Sequence, residues 1–151
     1  MKLVHFSATP LSFDPERRYG TFGEGLFKPD GLWLSNEDGY GWKDWCAKTG
    51  YETQRLAHSQ EFRLTDDSNV LIINDTQDFL DFESKYGIAQ SFLMKRFVEI
   101  DWTKVKADYD GIIIPQYFWS FKLDHMWYYG WDCGSGCIWN LKAVEPIQLS
   151  K

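Results

Sequence analysis

The 151-residue chain has no long apolar run, few cysteines and no excess of positive charge, and each absence excludes a class of protein. No stretch approaches the ~20 consecutive apolar residues of a membrane-spanning helix, so no membrane partner is expected. One lysine and a few apolar residues precede the first polar ones, a pattern that does not predict a signal peptide. The net charge of −6 disfavours general binding to a nucleic-acid backbone.

The few cysteines also limit the chemistry. Cys46, Cys133 and Cys137 make an odd number without a signal peptide, which predicts free thiols in a reducing cytoplasm. Cys133 and Cys137 are four residues apart, but no further Cys or His pair completes a set of four ligands, so no metal site is predicted. Nucleophile-elbow, Walker and dinucleotide-binding glycine motifs are absent as well.

Aromatic residues, in contrast, are abundant. They make up 18% of the chain and hydrophobic residues 44%, which predicts a packed globule. The length fits one domain over residues 1–151. Many short β-prone segments and few helical ones predict an α+β fold with a mostly antiparallel sheet core.

Local patterns place the elements of this fold. Strands are predicted at Lys2–Ser7, Gly31–Ser35, Glu52–Leu56, Glu61–Leu64, Asn69–Ile73, Ile112–Ile114, Cys137–Asn140 and Ala143–Leu149. Helices are predicted at Trp42–Ala47, from a cap at Thr76 to a stop at Gly87, and from Asp101, with a short helix or loop at Ser91–Phe97 and irregular segments at Thr9–Arg18 and Gln116–Tyr129. The apolar run Val70–Ile73 is typical of a strand buried on both faces.

The stretch from Phe22 to Cys46 combines five glycines with three tryptophans. Glycines permit sharp turns or close approach, and tryptophans fill a core or stack on a planar ligand. Trp33 and Ser35 share one face of the predicted strand. Two interpretations follow, a nucleotide cradle or a β-hairpin whose tryptophans are core residues.

The Gly31–Ser35 strand, Gly-Leu-Trp-Leu-Ser, follows Phe-Gly-Glu-Gly at Phe22–Gly25. This order resembles the second motif of ADP-ribosyltransferases related to poly(ADP-ribose) polymerases, in which Gly-Ile-Tyr-Phe-Ala follows a Phe-Gly-x-Gly turn. His5-Phe6-Ser7 resembles their first motif, a His followed closely by Ser or Thr. The middle residue of that motif is often Gly, so Phe6 is a departure, although its side chain should face away. The resemblance covers residues 1–46 and, more weakly, 109–140.

The resemblance implies an ADP-ribosyltransferase-like split sheet and NAD as substrate. It implies that His5 and Ser7 hold ribose hydroxyls and that Trp33 flanks the nicotinamide. A second stacking aromatic is expected at Trp45, with Trp42 as the fallback. The full predicted set of NAD-binding residues is His5, Ser7, Arg17, Arg18, Gly31, Trp33, Ser35 and Trp45. The two arginines are included because guanidinium groups suit a diphosphate, the alternative being solvated surface charge.

The third motif of the family is an acid at the start of a late strand, which stabilises the charge that develops as nicotinamide leaves. The usual Glu is absent before Cys137, and the nearest acid is Asp132. The resemblance therefore implies Asp132 as the catalytic residue. The alternative is that Asp132 only caps the turn at Cys133–Gly136.

The implied activity is mono-ADP-ribosyl transfer from NAD to a macromolecular acceptor, a protein side chain or a nucleic-acid base. The expected setting is a cytoplasmic toxin or effector, partnered by a cognate antitoxin or a host target. Two alternatives remain open. One is an aromatic-rich module that binds a sugar or a protein without chemistry, and the other is an inhibitor that keeps the fold and has lost the activity.

Overall fold

The protein is described by a computed structural model over residues 1–20, 27–51 and 53–148. Its strands are β1 (Leu3–Ser7), β2 (Leu32–Asn36), β3 (His58–Leu64), β4 (Val70–Ile72), β5 (Gly87–Phe92), β6 (Lys95–Ile100), β7 (Gly111–Ile114), β8 (Ser135–Ile138) and β9 (Val144–Pro146). Its α-helices are α1 (Trp42–Thr49), α2 (Thr76–Tyr86) and α3 (Trp102–Asp108). Single 3-10 turns lie at Thr53–Leu56, Trp119–Phe121, Met126–Tyr128 and Leu141–Ala143.

Seven strands form one mixed sheet in the order β4-β7-β8-β2-β1-β3-β9, and β5 and β6 form a separate hairpin. Only β4 and β7 pair in parallel within the described sheet; the other neighbours are antiparallel. The predicted α+β class and mostly antiparallel sheet are therefore confirmed.

The sheet opens between β1 and β2. These strands pair only at Leu3–Asn36 and Val4–Ser35. Beyond these pairs β1 continues along β3 as far as Ser7, and β2 continues along β8. The two halves of the sheet therefore separate from His5 onward and leave a gap between them.

Apolar side chains cover both faces of the sheet. On one face α2, α3 and the 115–131 loop bury an aromatic cluster that includes Phe79, Trp102, Trp127 and Trp131. On the other face a smaller aliphatic cluster forms around Leu34, Phe62 and Ile138. The abundant aromatics are mainly core residues, as is usual for large apolar side chains.

Several predicted elements are confirmed by these bounds, including β1, β2, α1, β7 and the edge strand β9. The predicted cap at Thr76 is wrong by one residue. The Asp75 carboxylate accepts a hydrogen bond of 2.8 Å from the backbone N–H of Asp78, so Asp75 caps α2. Asp101 caps α3 in the same way.

Three other predictions are wrong. Ser91–Phe97 is neither helix nor loop but lies mostly in β5 and β6. Residues 53–56 form a 3-10 turn instead of a strand, and the preceding Glu52 lies outside the described residues. The run Val70–Ile73 was expected to be buried on both faces, yet β4 is the end strand of the sheet and is only half-buried. The predicted Phe22–Gly25 turn lies outside the described residues.

Candidate functional site

A cavity of about 340 Å³ lies where β1 and β2 separate. Three consecutive residues of β1, namely Val4, His5 and Phe6, line it. Because successive side chains of a strand point to opposite faces, this pattern places the cavity against the edge of β1. Of the predicted site residues, those that line the cavity are His5, Gly31, Trp33, Ser35 and Asp132.

His5 bridges the two halves of the sheet. Its Nδ1 lies 2.9 Å from the backbone carbonyl oxygen of Trp33, on the strand that β1 has left. A carbonyl oxygen only accepts, so Nδ1 carries the proton in this bond. Nε2 of the neutral ring is then an acceptor, and a ligand hydroxyl could donate to it.

Trp33 presents its ring to a positive charge. The Lys28 ammonium lies 4.8 Å from the centroid of this ring, and the ring of Trp131 packs edge-on at 4.9 Å. Removal from water lowers the pKa of Lys28, against an opposing effect of the nearby Asp132 carboxylate. In the structure the Lys28 ammonium thus covers the Trp33 ring in a cation–π contact.

Gly31 and Ser35 both line the cavity, one through a close backbone approach and the other through a side-chain hydrogen bond. A side chain at Gly31 would meet the Ile138 carbonyl oxygen at 2.6 Å, so glycine allows the chain to approach β8 closely just before β2 begins. The Ser35 hydroxyl accepts a 2.6 Å hydrogen bond from the backbone N–H of Trp42 and thereby supports the start of α1. In the structure, both residues therefore position backbone segments around the cavity.

Asp132 does not stand alone in the cavity wall. Its Oδ1 lies 3.2 Å from the Nζ of Lys122, and both side chains are about one-quarter to one-third exposed. Burial alone would lower the pKa of Lys122, but hydrogen bonds to Asp132 and Tyr117 raise it above its ordinary value. Among the described residues, Asp132 is the only acid that lines the cavity, and it is paired with Lys122.

Two further residues next to Asp132 line the cavity, Cys133 and Ser135. Burial raises the pKa of the Cys133 thiol to about 12, although hydrogen bonds to Ser135 and Ser35 oppose the shift. The thiol is therefore protonated at neutral pH and is a poor nucleophile. The Ser135 hydroxyl donates to the Cys133 carbonyl oxygen at 3.1 Å.

The remaining predicted residues lie outside the cavity lining. Ser7 donates its hydroxyl to the Thr9 carbonyl oxygen at 2.6 Å. Arg17 lies over the Tyr19 ring, and Arg18 pairs with Glu16 in an exposed loop. Trp45 stacks on Trp42 with centroids 4.7 Å apart, and Trp42, the predicted fallback, is the ring that lines the cavity.

The cavity also contains residues that the sequence did not single out, above all Lys28, Arg55 and Trp131. Lys28 could have been found from its position three residues before Gly31, in the connection that enters β2. Arg55 lies in a segment predicted as a strand, so its pattern gave no signal for the site.

A second cavity of about 520 Å³ is lined by Pro115 and by residues that flank β2 and β7. Tyr40, Tyr117 and Trp119 form its aromatic wall, with ring centroids 4.7–6.3 Å apart. Asp38, Asn74 and Gln116 also line it.

In residues 1–20, 27–51 and 53–148, no group of three His, Cys, Asp or Glu side chains is placed to hold a metal ion. No helix in this part of the chain is long and apolar enough to cross a bilayer. Comparisons with protein-family models, with curated proteins and with solved structures found no match to this chain.

Proposed function

We propose that the cavity at the sheet opening binds the nicotinamide end of NAD and that the protein is a mono-ADP-ribosyltransferase. The observation that carries this proposal is that three predicted site residues line the same cavity. His5 on β1, Trp33 on β2 and Asp132 just before β8 are far apart in sequence and line one cavity. His5 and Trp33 stand at positions where the sequence resembles the first two motifs of ADP-ribosyltransferases, and Asp132 is the acid nearest to the place of the third. The opened sheet fits the split sheet that the resemblance implies.

The cavity wall suits the chemistry of this ligand. Nicotinamide in NAD is a flat cationic ring, and Trp33 already attracts the Lys28 ammonium to its face. Ribose carries hydroxyl donors, and Nε2 of His5 is an acceptor. A volume of about 340 Å³ is at the low end for small-molecule sites, which favours one end of the dinucleotide inside and the remainder along the surface.

The cations proposed to bind the diphosphate of NAD differ from those that the sequence predicted. Arg17 and Arg18 lie outside the cavity lining, whereas Lys28 and Arg55 are part of it. Phosphate oxygens accept hydrogen bonds from both ammonium and guanidinium groups. In this proposal nicotinamide takes the place of the Lys28 ammonium over Trp33, and Lys28 and Arg55 provide the positive charge for the diphosphate.

The proposed reaction breaks the bond between C1′ of the ribose and the nicotinamide nitrogen. The bonding pair leaves with nicotinamide, which becomes neutral, and positive charge develops at C1′. A nucleophilic atom of the acceptor then bonds to C1′ and releases its proton. Asp132 stabilises the transition state, because its carboxylate attracts a charge at the ribose that the ground state lacks at that atom.

A second candidate function, binding of NAD without transfer, is favoured by the Lys122–Asp132 ion pair. A carboxylate whose charge is balanced by an ammonium at 3.2 Å stabilises a developing cation less than an unpaired one. With no other acid among the described cavity residues, the site would then bind and not turn over.

One experiment separates these functions. The protein is incubated with NAD labelled in the adenylate half, alone and with cell-derived protein and nucleic-acid pools, and free nicotinamide is measured by chromatography. Nicotinamide release with label on a macromolecule supports transfer. Calorimetric binding without release supports the second candidate, and absence of binding contradicts both.

His5→Ala is expected to weaken NAD binding by about 1–3 kcal/mol, because a buried hydroxyl loses its acceptor. Isothermal titration calorimetry measures the change, with a thermal melt to verify the fold. His58→Ala is the matched control, since His58 is exposed on β3 opposite Ser7 and does not line the cavity. A folded His5→Ala protein with parental affinity would remove His5 from the site.

Trp33→Ala is expected to lower NAD affinity about tenfold or more through loss of the stacked face. It should also remove much of the tryptophan quench that NAD produces on titration. Trp45→Ala is the control, because Trp45 stacks on Trp42 and does not line the cavity. If Trp33 is only a core residue, the substitution will lower stability by about 3–5 kcal/mol and leave NAD affinity unchanged.

A further inference from the structure

The β5–β6 hairpin carries an apolar tip. Phe92, Leu93 and Met94 are 68%, 80% and 101% exposed, although they are consecutive large hydrophobic residues. The hairpin pairs with no other strand of the described chain, and its strands run in register from Gly87–Ile100 to Phe92–Lys95. The tip therefore lies at the far end of a two-stranded ribbon.

The turn at this tip is held in an unfavourable backbone conformation. Leu93 and Met94 have φ angles of 48° and 64°, in the left-handed region. A two-residue hairpin turn of this kind strongly favours Asn-Gly, because bulky side chains clash there. The tip thus combines backbone strain with exposed apolar surface. Both raise the free energy of the protein when nothing contacts the tip. Such a combination points to a partner for the tip.

The charge next to the tip identifies the kind of partner. Lys95 and Arg96 follow Met94 directly, and the segment from Gly87 to Val98 contains no acid. The chain as a whole has a net charge of −6. Phe97 packs on Phe27 of the body with ring centroids 6.4 Å apart and lies three residues beyond Met94. About 10 Å of strand, roughly one ~8 Å screening length at physiological salt, therefore separates the tip from this contact, and the cationic tip is partly screened from the acidic body.

We propose that this tip docks on an anionic lipid bilayer. Phe92, Leu93 and Met94 enter the boundary between headgroups and acyl chains, and Lys95 and Arg96 contact lipid phosphates. Three adjacent side chains without a hydrogen-bonding group suit hydrocarbon better than base edges, which present donors and acceptors. The contact is peripheral, and it is independent of NAD and of the cavity at the sheet opening.

The test is co-sedimentation of the full chain with vesicles of phosphatidylcholine alone or with one-third phosphatidylglycerol. Parental protein should bind the anionic vesicles preferentially and lose binding as salt is raised. Leu93→Asn with Met94→Gly should reduce partitioning about tenfold or more. Since Asn-Gly suits this turn, the variant should melt at or above the parental temperature, so lost binding cannot be ascribed to unfolding.

Two further variants complete the test. Lys95→Gln with Arg96→Gln should lower partitioning to anionic vesicles about fivefold for each cation. Leu123→Asn is the matched control, because Leu123 is 82% exposed but lies in the 115–131 loop, and it should bind as the parent does. Absence of vesicle binding, equal loss in the control, or binding that is transferred to a competing oligonucleotide would overturn the proposal.

Discussion

Asp132→Asn protein is expected to bind NAD about as tightly as the parent and to release nicotinamide at least roughly 100-fold more slowly. The carboxylate acts on a charge that appears only in the transition state, so its removal affects turnover more than binding. Asn keeps the size of the side chain and can still cap the turn that follows. The measurement is single-turnover nicotinamide release at saturating NAD, alongside calorimetric affinity.

Lys122 provides an internal check on this role. Because the ammonium balances the Asp132 charge at 3.2 Å, Lys122→Gln should leave the carboxylate unpaired and strengthen its effect on a developing cation. When Asp132→Asn is already present, adding Lys122→Gln should not change the rate of nicotinamide release further. A double-mutant cycle isolates the coupling between the two residues.

The control for Asp132→Asn is Asp124→Asn, since Asp124 is an exposed acid in the 115–131 loop, which leads to Asp132, and does not line the cavity. Nicotinamide release by Asp132→Asn at the parental rate would end the assignment. Ser135 would then be the next residue to test, because it lies in the same cavity wall. Gln116, the other alternative, lines the second cavity.

Much of the local structure near the site could be predicted from the sequence. Alternating and β-prone residues marked β1 and β2, and the turn signals after Asn36 marked the start of α1. These patterns are decided by neighbours within a few residues. The position of Ser35 opposite both Val4 and Ser135 depends on sheet register, which no local pattern contains. That residues of β1, of β2 and of the segment before β8 line one cavity was expected only from the resemblance to ADP-ribosyltransferases.

The sequence-based predictions that were wrong also have physical reasons. Phe92-Leu93-Met94 has no Gly, Asn, Asp or Pro, so the hairpin turn lacked every usual signal. Val70–Ile73 has the composition of a central strand, but composition does not tell which strand ends a sheet. Trp42 and Trp45 are three residues apart on α1 and stack on each other, so only the packing of the helix decides which ring meets the cavity.

The aromatic cluster beneath the cavity is what fixes the loop that carries Asp132. Trp127 is fully buried, stacks on Phe79 with centroids 4.8 Å apart, and packs edge-on against Trp131 at 6.3 Å. Trp131 in turn lines the cavity and immediately precedes Asp132. The indole N–H of Trp127 donates to Glu83 Oε2 at 2.7 Å, and the same oxygen lies 2.6 Å from Nδ1 of His125.

Trp127→Ala is therefore expected to destabilise the protein by about 3–5 kcal/mol, a large part of the stability of a typical domain. The loss has two causes. The substitution leaves a cavity in the aromatic cluster, and the half-buried Glu83 carboxylate keeps only His125 as a side-chain partner. Trp127→Phe keeps most of the ring volume, so it should cost only about 1–3 kcal/mol, mainly from the lost N–H donor. Urea unfolding followed by circular dichroism measures both changes. Trp119→Ala is the control at a 54% exposed position, where the ring packs on Tyr40 and Tyr117 at the surface and the expected loss is about 1–2 kcal/mol. Equal losses for Trp127→Ala and Trp119→Ala would show that the cluster does not hold the loop.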